Sequence, residues 1–418
     1  MGVQPVSLTL TVHRATDQIG GNCIEIATPQ GRILLDVGRP LDAPRDATDL
    51  LPTTLNRSTP VDGVLISHPH QDHYGLLEEL PESWPVYSGE AASKLMHLTA
   101  SIFGTAPVRD YRHWRGGQAI EVGPFSVTPL LTDHSAFDAY MLLIEAAGKR
   151  IIYSGDFRRH GRKSALVERL MQHPPSPVDV LLMEGTNLGS DKPTKSESEL
   201  EDDFVGLLHE TRGRVFACWS AQNIDRTVTL YRAAVRSGRT LVVDLYTAEV
   251  LELLAQFGRL PQPGWKNIKV VITRSFSRLY ETKGRGDFVE RMAANGMSAA
   301  ALAWNRNRWV VMARPSLLKD YEAKGVVPDD QDAWSYSQWH GYLDQPDGVK
   351  LRDWFDRGGS KARHLHTSGH ASTADLQAFA AAVAPKALVP IHGVAWDTDR
   401  QGFERIVRLR DGEPFVVP

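Results

Sequence analysis

Short apolar runs alternate with turn residues in the first part of the chain. The β-branched and aliphatic content of strands appears in five of these runs: LTLTVH, CIEIAT, RILLDV, GVLISH and FSVTPLL. Between them, YGLLEEL and EAASKLMHL have the spacing of short helices. Further strand-like runs, KRIIYSGD and VDVLLMEG, continue the pattern to about Gly185. This alternation predicts sheet layers with helices on their outer faces.

A more regular strand–helix alternation follows the polar stretch DKPTKSESE. Ser196 and Glu199 have the spacing of a capping box. The helix that they begin has one apolar face, formed by Leu200, Phe204, Leu207 and Leu208. In the next helix the same spacing predicts an apolar face of Ile224, Val228, Tyr231 and Val235. A βαβα order of this kind predicts a parallel sheet that is covered on both faces.

The domain organisation follows from this change of pattern. With 418 residues the chain is longer than most single hydrophobic cores. We expect a first domain over residues 1–195, an inserted α/β domain over 196–345, and a return to the first domain over 346–418.

Composition and charge restrict the class of protein. A hydrophobic content of 42% and a charged content of 23% are ordinary for a globular chain. The net charge of −3 gives no general attraction to polyanions, so nucleic-acid binding would need a local basic groove. We find no signal peptide and no apolar run of about 18 residues, and we expect a cytoplasmic protein without membrane contact. Cys23 and Cys218 alone cannot form a disulfide framework.

The sequence His68-Pro-His70-Gln-Asp72-His73 directly follows the apolar run GVLIS. Imidazole and carboxylate groups are the ligands that zinc and similar divalent metals prefer. Four such groups within six residues predict a metal site rather than a solvated histidine-rich loop. Single candidates follow three later predicted strands: His134, Asp156 and His392.

The order of these motifs resembles the metallo-β-lactamase superfamily. That resemblance implies an αββα sandwich with two metals at one sheet edge. It implies one metal held by His68, His70 and His134, a second held by Asp72, His73 and His392, and Asp156 bridging both. Asp36, in RILLDVG, resembles the family's first motif, an aspartate that hydrogen-bonds a ligand histidine. The alternative interpretation of Asp36 is a turn residue.

Three further motifs resemble the β-CASP nucleases, which include the RNase J family. They are Glu184 in VLLMEGTNLG, His370 in HTSGHASTADL and His392 in PIHG. The α/β insertion that is typical of this branch would lie between the first two. Members that act on DNA usually carry valine at the position of His392, so the resemblance favours RNA as the substrate.

The implied chemistry is hydrolysis of RNA phosphodiester bonds by a hydroxide that two divalent metals activate. Zinc is the expected metal, and manganese is the alternative. Asp72 and Asp156 would be the catalytic carboxylates at the metals. His370 would protonate the leaving oxygen as general acid, and Glu184 would hold its ring. Glu184 could instead be a turn carboxylate.

Several residues are candidates for holding the RNA. Ser368 and Ser372 flank His370 and could donate to a phosphate, although a serine near the start of the following helix could equally cap it. Arg158 and Arg159 follow the predicted bridging aspartate, and we expect them at the entrance of the site.

In the insertion, arginines and lysines interleave with aromatic residues: Arg278, Lys283, Arg285, Arg306, Arg308, Arg314, Trp304, Trp309, Trp334, Tyr336 and Trp339. Such a set is typical of single-strand binding, but aromatic residues of an α/β domain are also commonly core residues. An assembly of two chains is compatible with these features.

Three other functions are compatible with the motifs. They are a DNA nuclease of the same fold, a small-molecule metallo-hydrolase such as a thioesterase or lactamase, and a scaffold that has lost catalysis. The metal motif alone does not exclude a small substrate, but an insertion of this length is hard to explain for one. A scaffold is disfavoured because every expected ligand is present.

Overall fold

The computed structural model describes residues 7–44, 46–104 and 109–418, and these residues form two compact units. Through the described residues, the first unit runs to Ala100, from Gly104 to Pro193, and from Gly369 to Pro418. The second unit comprises Ser101–Phe103 and Thr194–Ser368.

The first unit contains two sheets in its described residues. The first sheet consists of β1 (Thr9–Arg14), β2 (Cys23–Thr28), β3 (Gly31–Val37), β4 (Gly63–Leu65), β5 (Val86–Gly89), β6 (Tyr111–Trp114) and β20 (Pro414–Val416). Its order is β20-β1-β2-β3-β4-β5-β6, and the strands from β3 to β6 are parallel. The second sheet consists of β7 (Ile120–Val122), β8 (Phe125–Leu131), β9 (Tyr140–Ala146), β10 (Lys149–Tyr153), β11 (Val180–Met183) and β19 (Ala387–Pro390). Its order is β19-β11-β10-β9-β8-β7.

The two sheets pack against each other through one apolar core. Both sheets contribute fully buried side chains to this core: Leu10 and Ile33 from the first sheet, and Leu142, Ile151 and Leu182 from the second. The outer face of the first sheet is covered by α1 (Gln71–Tyr74) and α2 (Glu90–Phe103), and that of the second by α3 (Ser164–Gln172) and α11 (Thr373–Val383). The predicted αββα sandwich is therefore confirmed.

The second unit contains a parallel sheet in its described residues. Its strands are β12 (Val215–Cys218), β13 (Thr240–Val243), β14 (Ile268–Ile272), β15 (Met297–Ser298), β16 (Trp309–Met312), β17 (Ala333–Tyr336) and β18 (Lys361–Arg363). Their order is β15-β14-β13-β16-β12-β17-β18, and every pairing is parallel, as the strand–helix alternation predicted.

The helices of the second unit are α4 (Glu197–Glu210), α5 (Ile224–Arg236), α6 (Leu245–Leu254), α7 (Arg274–Thr282), α8 (Gly286–Asn295), α9 (Pro315–Glu322) and α10 (Pro346–Arg357). Short 3₁₀ turns lie at Leu77–Glu79, Ala299–Ala303, Arg306–Arg308 and His340–Asp344. No helix in the described part of the chain combines the length and the apolar character that a membrane crossing requires.

The start of α4 has the predicted capping box. The Ser196 hydroxyl accepts from the Glu199 amide at 3.2 Å, and the Glu199 carboxylate accepts from the Ser196 amide at 2.7 Å. The predicted apolar face is buried as well, from Leu200 through Phe204 to Leu208.

The helix predicted for YGLLEEL does not form. The chain leaves α1 after Tyr74, and only a 3₁₀ turn follows at Leu77–Glu79. The reason is a tertiary hydrogen bond: the Leu76 amide donates to the Val37 carbonyl at 3.0 Å, which draws this segment onto β3.

The apolar face predicted for α5 is only partly correct. Ile224 is buried, but Val235 is 44% exposed, and Val228 and Tyr231 are only half-buried. The face that packs inward also carries Leu230 and the fully buried Arg226. Periodicity missed this face because a charged residue occupies a core position there.

The segment 346–368 belongs to the second unit, whereas we expected it to return to the first. Two contacts hold it there. The Phe355 ring of α10 stacks on Trp334 with centroids 4.5 Å apart, and β18 pairs in parallel with β17. The return to the first unit therefore begins at Gly369.

A buried ion pair lies in the interior of the second unit. Arg214, 2% exposed, donates from Nη2 to Oδ2 of Asp332 at 2.7 Å, and its amide donates to Oδ1 at 2.6 Å. Arg306 also contacts Asp332, at 2.7 Å. Removing one partner of a buried pair leaves an uncompensated charge in the interior, which is strongly destabilising.

We therefore predict that Asp332→Ala lowers the free energy of unfolding of this unit by about 3–5 kcal/mol. Asp347→Ala is the matched control, because Asp347 pairs with Lys350 at the surface and should cost at most about 1 kcal/mol. Urea unfolding followed by tryptophan fluorescence measures both. Equal shifts for the two variants would contradict this account.

Candidate metal centre

The turn after β4 carries the histidine-rich motif into the interior. Ser67, His68 and His73 are fully buried, and Asp72 and His73 lie in α1. The backbone around them is held from two sides. The amides of Gly21 and Asn22 both donate to the Asp72 carbonyl, at 3.0 and 3.2 Å.

Gly38 lies against the same carbonyl. A Cβ at Gly38 would lie 1.7 Å from the Asp72 oxygen, so no other residue fits there without displacing the motif. The sequence analysis missed the positioning roles of Gly38 and Asn22. The glycine that follows the apolar run RILLDV, and the segment QIGGN before β2, were the available signals.

The predicted first ligand group converges on one point. Nδ1 of His70 lies 3.2 Å from Nε2 of His68 and 3.2 Å from Nε2 of His134. On the far side of its ring, His134 Nδ1 lies 2.6 Å from the Gly369 carbonyl, which can only accept. Nδ1 therefore carries the proton, and the lone pair of Nε2 points into the group.

The predicted second group converges beside the first. Asp72, His73, Asp156 and His392 have donor atoms that all lie within 4.8 Å of one another. His73 Nε2 lies 3.1 Å from Oδ2 of Asp156, and His392 Nδ1 lies 2.6 Å from its Oδ1. Asp156 also faces the first group, since its Oδ2 lies 3.6 Å from Nε2 of His68. Its carboxylate thus lies between the two groups.

Backbone conformation directs two of these side chains. His392 has a left-handed backbone with φ of 49°, and its amide donates to the Ala15 carbonyl at 2.8 Å. Gly155, with φ of 50°, precedes Asp156. Left-handed backbone is unfavourable for a histidine, so contacts around His392 must hold it there.

The electrostatics differ between the two groups. Burial lowers the pKa of His68 and His134 well below the usual value, and lowers that of His70 to about 4, so these imidazoles are neutral. Burial also acts on His73 and His392, but the nearby carboxylates outweigh it. They raise the pKa of His73, and they raise that of His392 to about 10.

The residues fit divalent cations. The spacing of 3.2 Å between imidazole nitrogens in the first group matches the edge of about 3.3 Å of a tetrahedral site with bonds of about 2.0 Å. In the second group, the buried Nε2 of His392 lies 3.5 Å from Oδ2 of Asp72 and makes no hydrogen bond of good geometry among the described residues. A buried polar atom that is poorly satisfied is costly, and a cation would satisfy it. The chain therefore carries histidine and aspartate groups suited to divalent metals.

Asp36 lies beneath this centre. It is fully buried, and its Oδ2 accepts from Nδ1 of His73 at 2.7 Å, the contact expected from the sequence. The Tyr153 hydroxyl donates to the same oxygen at 2.5 Å and accepts from the side-chain amide (Nδ2) of Asn22 at 3.0 Å. Sequence analysis missed Tyr153. Its polar ring at the inner end of the apolar strand β10 was the available signal.

His370 and Glu184 lie together beside Asp156. Nδ1 of His370 is 2.9 Å from Oε2 of Glu184 and 3.7 Å from Oδ2 of Asp156. Glu184 is fully buried and also accepts from the Phe157 amide at 2.9 Å, so its carboxylate is fixed. Burial lowers the pKa of His370, but Glu184 and Asp156 outweigh it and raise the pKa above the usual value.

His370 differs from the buried histidines in two ways. Its side chain is 21% exposed. Its donor atoms also belong to a third cluster with Asp156, Glu184 and His392, whose atoms lie within 4.8 Å of one another. The geometry therefore permits either an acid or a ligand at this position.

The two arginines expected at the site entrance differ in burial. Arg158 is fully buried, and its Nε lies 3.6 Å from Oδ1 of Asp133. A side chain in the interior cannot meet a phosphate, so this prediction is wrong for Arg158. Arg159 is partly exposed and pairs with Asp375 at 2.9 Å.

Ser372 is a helix cap. Its hydroxyl accepts from the Asp375 amide at 3.2 Å and donates to the Asp375 carboxylate at 2.9 Å. Its position directly before α11 explains this role, and the phosphate-binding interpretation loses its support. Ser368 is half-buried and lies at the end of the second unit.

The arginine and aromatic residues predicted to bind a single strand differ in how much of each side chain is exposed. Trp334 and Tyr336 are buried in β17 and belong to the core. Trp304 and Trp339 are 75% and 60% exposed. Arg306 forms a paired contact with Asp329. Only part of the set is therefore available to a ligand.

Two family profiles match the chain. Residues 16–186 match the metallo-β-lactamase superfamily. Residues 360–400 match the Zn-dependent metallo-hydrolase RNA specificity domain, and this segment contains His370 and His392.

Curated relatives cover most of the chain at low identity. Ribonuclease J of Helicobacter pylori is 25% identical over 413 residues, which are 93% of this chain and 56% of the relative. Ribonuclease J of Sinorhizobium meliloti is 23% identical over 84% of this chain and 62% of the relative. An RNase J-like protein of Methanocaldococcus jannaschii is 27% identical over 57% of this chain. The chain thus spans little more than half the length of these relatives.

A solved structure has the same fold. A protein of unknown function from Enterococcus faecalis V583 superposes with a TM-score of 0.80 and 21% identity, over 98% of this chain and all of the other.

We predict that Gly38→Ala lowers metal binding although it removes no ligand, because the added Cβ must displace the Asp72 carbonyl. Metal content after saturation and dialysis, with thermal unfolding, measures the effect. Gly206→Ala in α4 is the control, because nothing lies within 4 Å of a Cβ there. Wild-type metal content in Gly38→Ala would show that this contact does not position the motif.

Proposed function

Because the chain belongs to the metallo-β-lactamase superfamily, we propose that it is a metal-dependent ribonuclease that hydrolyses RNA phosphodiester bonds. One observation carries the proposal. Seven histidine and aspartate side chains from distant parts of the sequence converge in two adjoining groups, with the Asp156 carboxylate between them.

RNA is the substrate that the comparisons favour. The family that matches residues 360–400 is described as an RNA specificity domain. The two relatives that align with 93% and 84% of this chain are named ribonuclease J. His392 agrees with RNA as the substrate, because family members that act on DNA usually carry valine at this position. In this chain the His392 imidazole lies within the second ligand group. We propose single-stranded RNA because the exposed rings of Trp304 and Trp339 could stack on unpaired bases.

We propose two divalent ions, with zinc favoured by the nitrogen and oxygen donors and manganese as the alternative. The first would be held by the group of His68, His70 and His134, and the second by that of Asp72, His73 and His392, with Asp156 shared. When bound, a metal pair supplies charge neutralisation at the phosphate and activates a water molecule.

The chain's own residues would then orient the reaction and move one proton. Asp156, held by His392 and His73, fixes the centre of the site. His370 would deliver a proton from Nε2 to the departing ribose oxygen, since its Nδ1 is bound by Glu184. Glu184 fixes the ring and favours its protonated form, which suits a general acid.

The proposed substrate can be tested with metal-loaded protein and end-labelled oligonucleotides of one sequence. We expect cleavage of single-stranded RNA and little cleavage of the matching DNA. RNA bearing a 5′-triphosphate, monophosphate or hydroxyl group would also report the end preference. Preferential cleavage of DNA, or hydrolysis of small esters without cleavage of RNA, would replace the proposed function by one of those activities.

We predict that His370→Ala keeps wild-type metal content and lowers turnover of RNA about 10²–10⁴-fold, because it removes the proposed proton donor. His173→Ala, which removes an exposed histidine after α3, is the control and should change neither. If metal content falls together with activity, His370 is a ligand in the third cluster rather than the acid.

A further inference from the structure

We propose that Ser67 is a positioning residue that links the Asp36 carboxylate to His68. One buried carboxylate would then orient one histidine in each ligand group: His73 directly, and His68 through a serine hydroxyl. The inference rests on the proposed function only in assigning the two groups to two metals.

Asp36 collects four hydrogen bonds in a fully buried environment. The Ser67 amide donates to Oδ1 at 2.7 Å. Three donors share Oδ2: the Ser67 hydroxyl at 2.7 Å, the Tyr153 hydroxyl at 2.5 Å and His73 Nδ1 at 2.7 Å. A carboxylate with this many donors is strongly held in one orientation.

The direction of each hydrogen bond follows from donor chemistry. An ionised carboxylate can only accept, so the single hydrogen of the Ser67 hydroxyl is directed at Asp36. The Ser67 oxygen therefore acts as an acceptor towards its other neighbours. Its nearest ring nitrogen is Nδ1 of His68, at 3.0 Å, and Nδ1 of His73 is farther away, at 3.4 Å. His68 must then carry its proton on Nδ1.

This proton position sets the chemistry of the opposite ring atom. With Nδ1 protonated, Nε2 of His68 keeps its lone pair and directs it at the first ligand group, 3.2 Å from His70 Nδ1. The same logic applies to His73, whose Nδ1 donates to Asp36 and whose Nε2 faces Asp156. Outer hydrogen bonds of this kind orient ligand histidines, and their loss typically weakens metal affinity about 10–100-fold.

The hydroxyl of Ser67 can be removed without removing its backbone anchors. The Ser67 amide is bound to Asp36, and its carbonyl accepts from the Tyr140 amide at 3.0 Å. Ser67→Ala therefore tests the hydroxyl alone. Ser88→Ala is the matched control, because Ser88 is equally buried and its hydroxyl donates only to the Gly89 carbonyl at 3.1 Å among the bonds described.

The first experiment uses the metal-free full chain. Nitrogen-15 NMR of the histidine rings reports which nitrogen carries the proton. We expect Nδ1 of His68 to be protonated in the wild type and in Ser88→Ala. In Ser67→Ala this preference should be lost, while His73 keeps the proton on Nδ1 that it donates to Asp36. An unchanged His68 ring in Ser67→Ala would overturn the proposal.

The second experiment measures metal affinity by chelator competition with zinc alone. Ser67→Ala should weaken one ion about tenfold or more, whereas Asp36→Asn should weaken both. In a His134→Ala background, which disrupts the first group, Ser67→Ala should leave the affinity for the remaining ion unchanged. A further loss in that background would show that Ser67 supports the second group or the fold, and would overturn the proposal.

The two experiments separate this inference from the proposed function. Saturation of the wild type below two ions would contradict the metal pair, but the NMR of the metal-free chain would still decide the role of Ser67. Conversely, cleavage of RNA by Ser67→Ala with unchanged zinc affinity would refute the link and leave the ribonuclease proposal intact.

Discussion

The burial of the Asp156 carboxylate is the constraint on which the rest of the centre depends. Its side chain is almost completely removed from water, and both of its oxygens face imidazole nitrogens. An ionised group in such a place costs several kcal/mol unless opposite charge or strong donors compensate it. Although burial opposes it, Asp156 raises the pKa values of His73 and His392, so these two imidazoles keep their protons and their positive charge compensates the carboxylate. Cations that displace those protons would satisfy the same demand.

The need to hold compensating groups around the Asp156 carboxylate explains why strained backbone occurs near the centre. Asp36 and His392 have left-handed backbones, with φ of 54° and 49°. Such conformations cost roughly 1–3 kcal/mol for residues other than glycine, and they persist only where other contacts enforce them. The Ala15 carbonyl holds His392, and the bonds from Ser67 and Tyr153 hold Asp36. These contacts therefore maintain a locally strained backbone, and that backbone sets the direction of the Asp36 and His392 side chains.

The second unit places charges in its interior for structural reasons. Arg214 and Arg226 are buried, and each is matched by a buried carboxylate, Asp332 and Glu197 respectively. Arginine can make such contacts because its planar group offers several donors. A basic residue in this sequence is therefore not by itself a sign of nucleic-acid contact. Exposure decides which basic and aromatic side chains a strand of RNA could reach.

Local patterns were enough to determine much of this protein from its sequence. Strand and helix periods, the capping box at Ser196 and the ligand chemistry of the His68–His73 motif depend only on neighbouring residues, so sheet layers with outer helices, the parallel sheet and the metal motif could be predicted. The αββα sandwich was expected from the resemblance of the motif order to a known family. Tertiary structure alone decided the contacts between distant residues that no sequence motif indicated. It directed Leu76 onto β3, buried Arg158 and brought Tyr153 to Asp36. These outcomes depend on through-space hydrogen bonds and burial between residues far apart in the chain, which neither periodicity nor composition encodes.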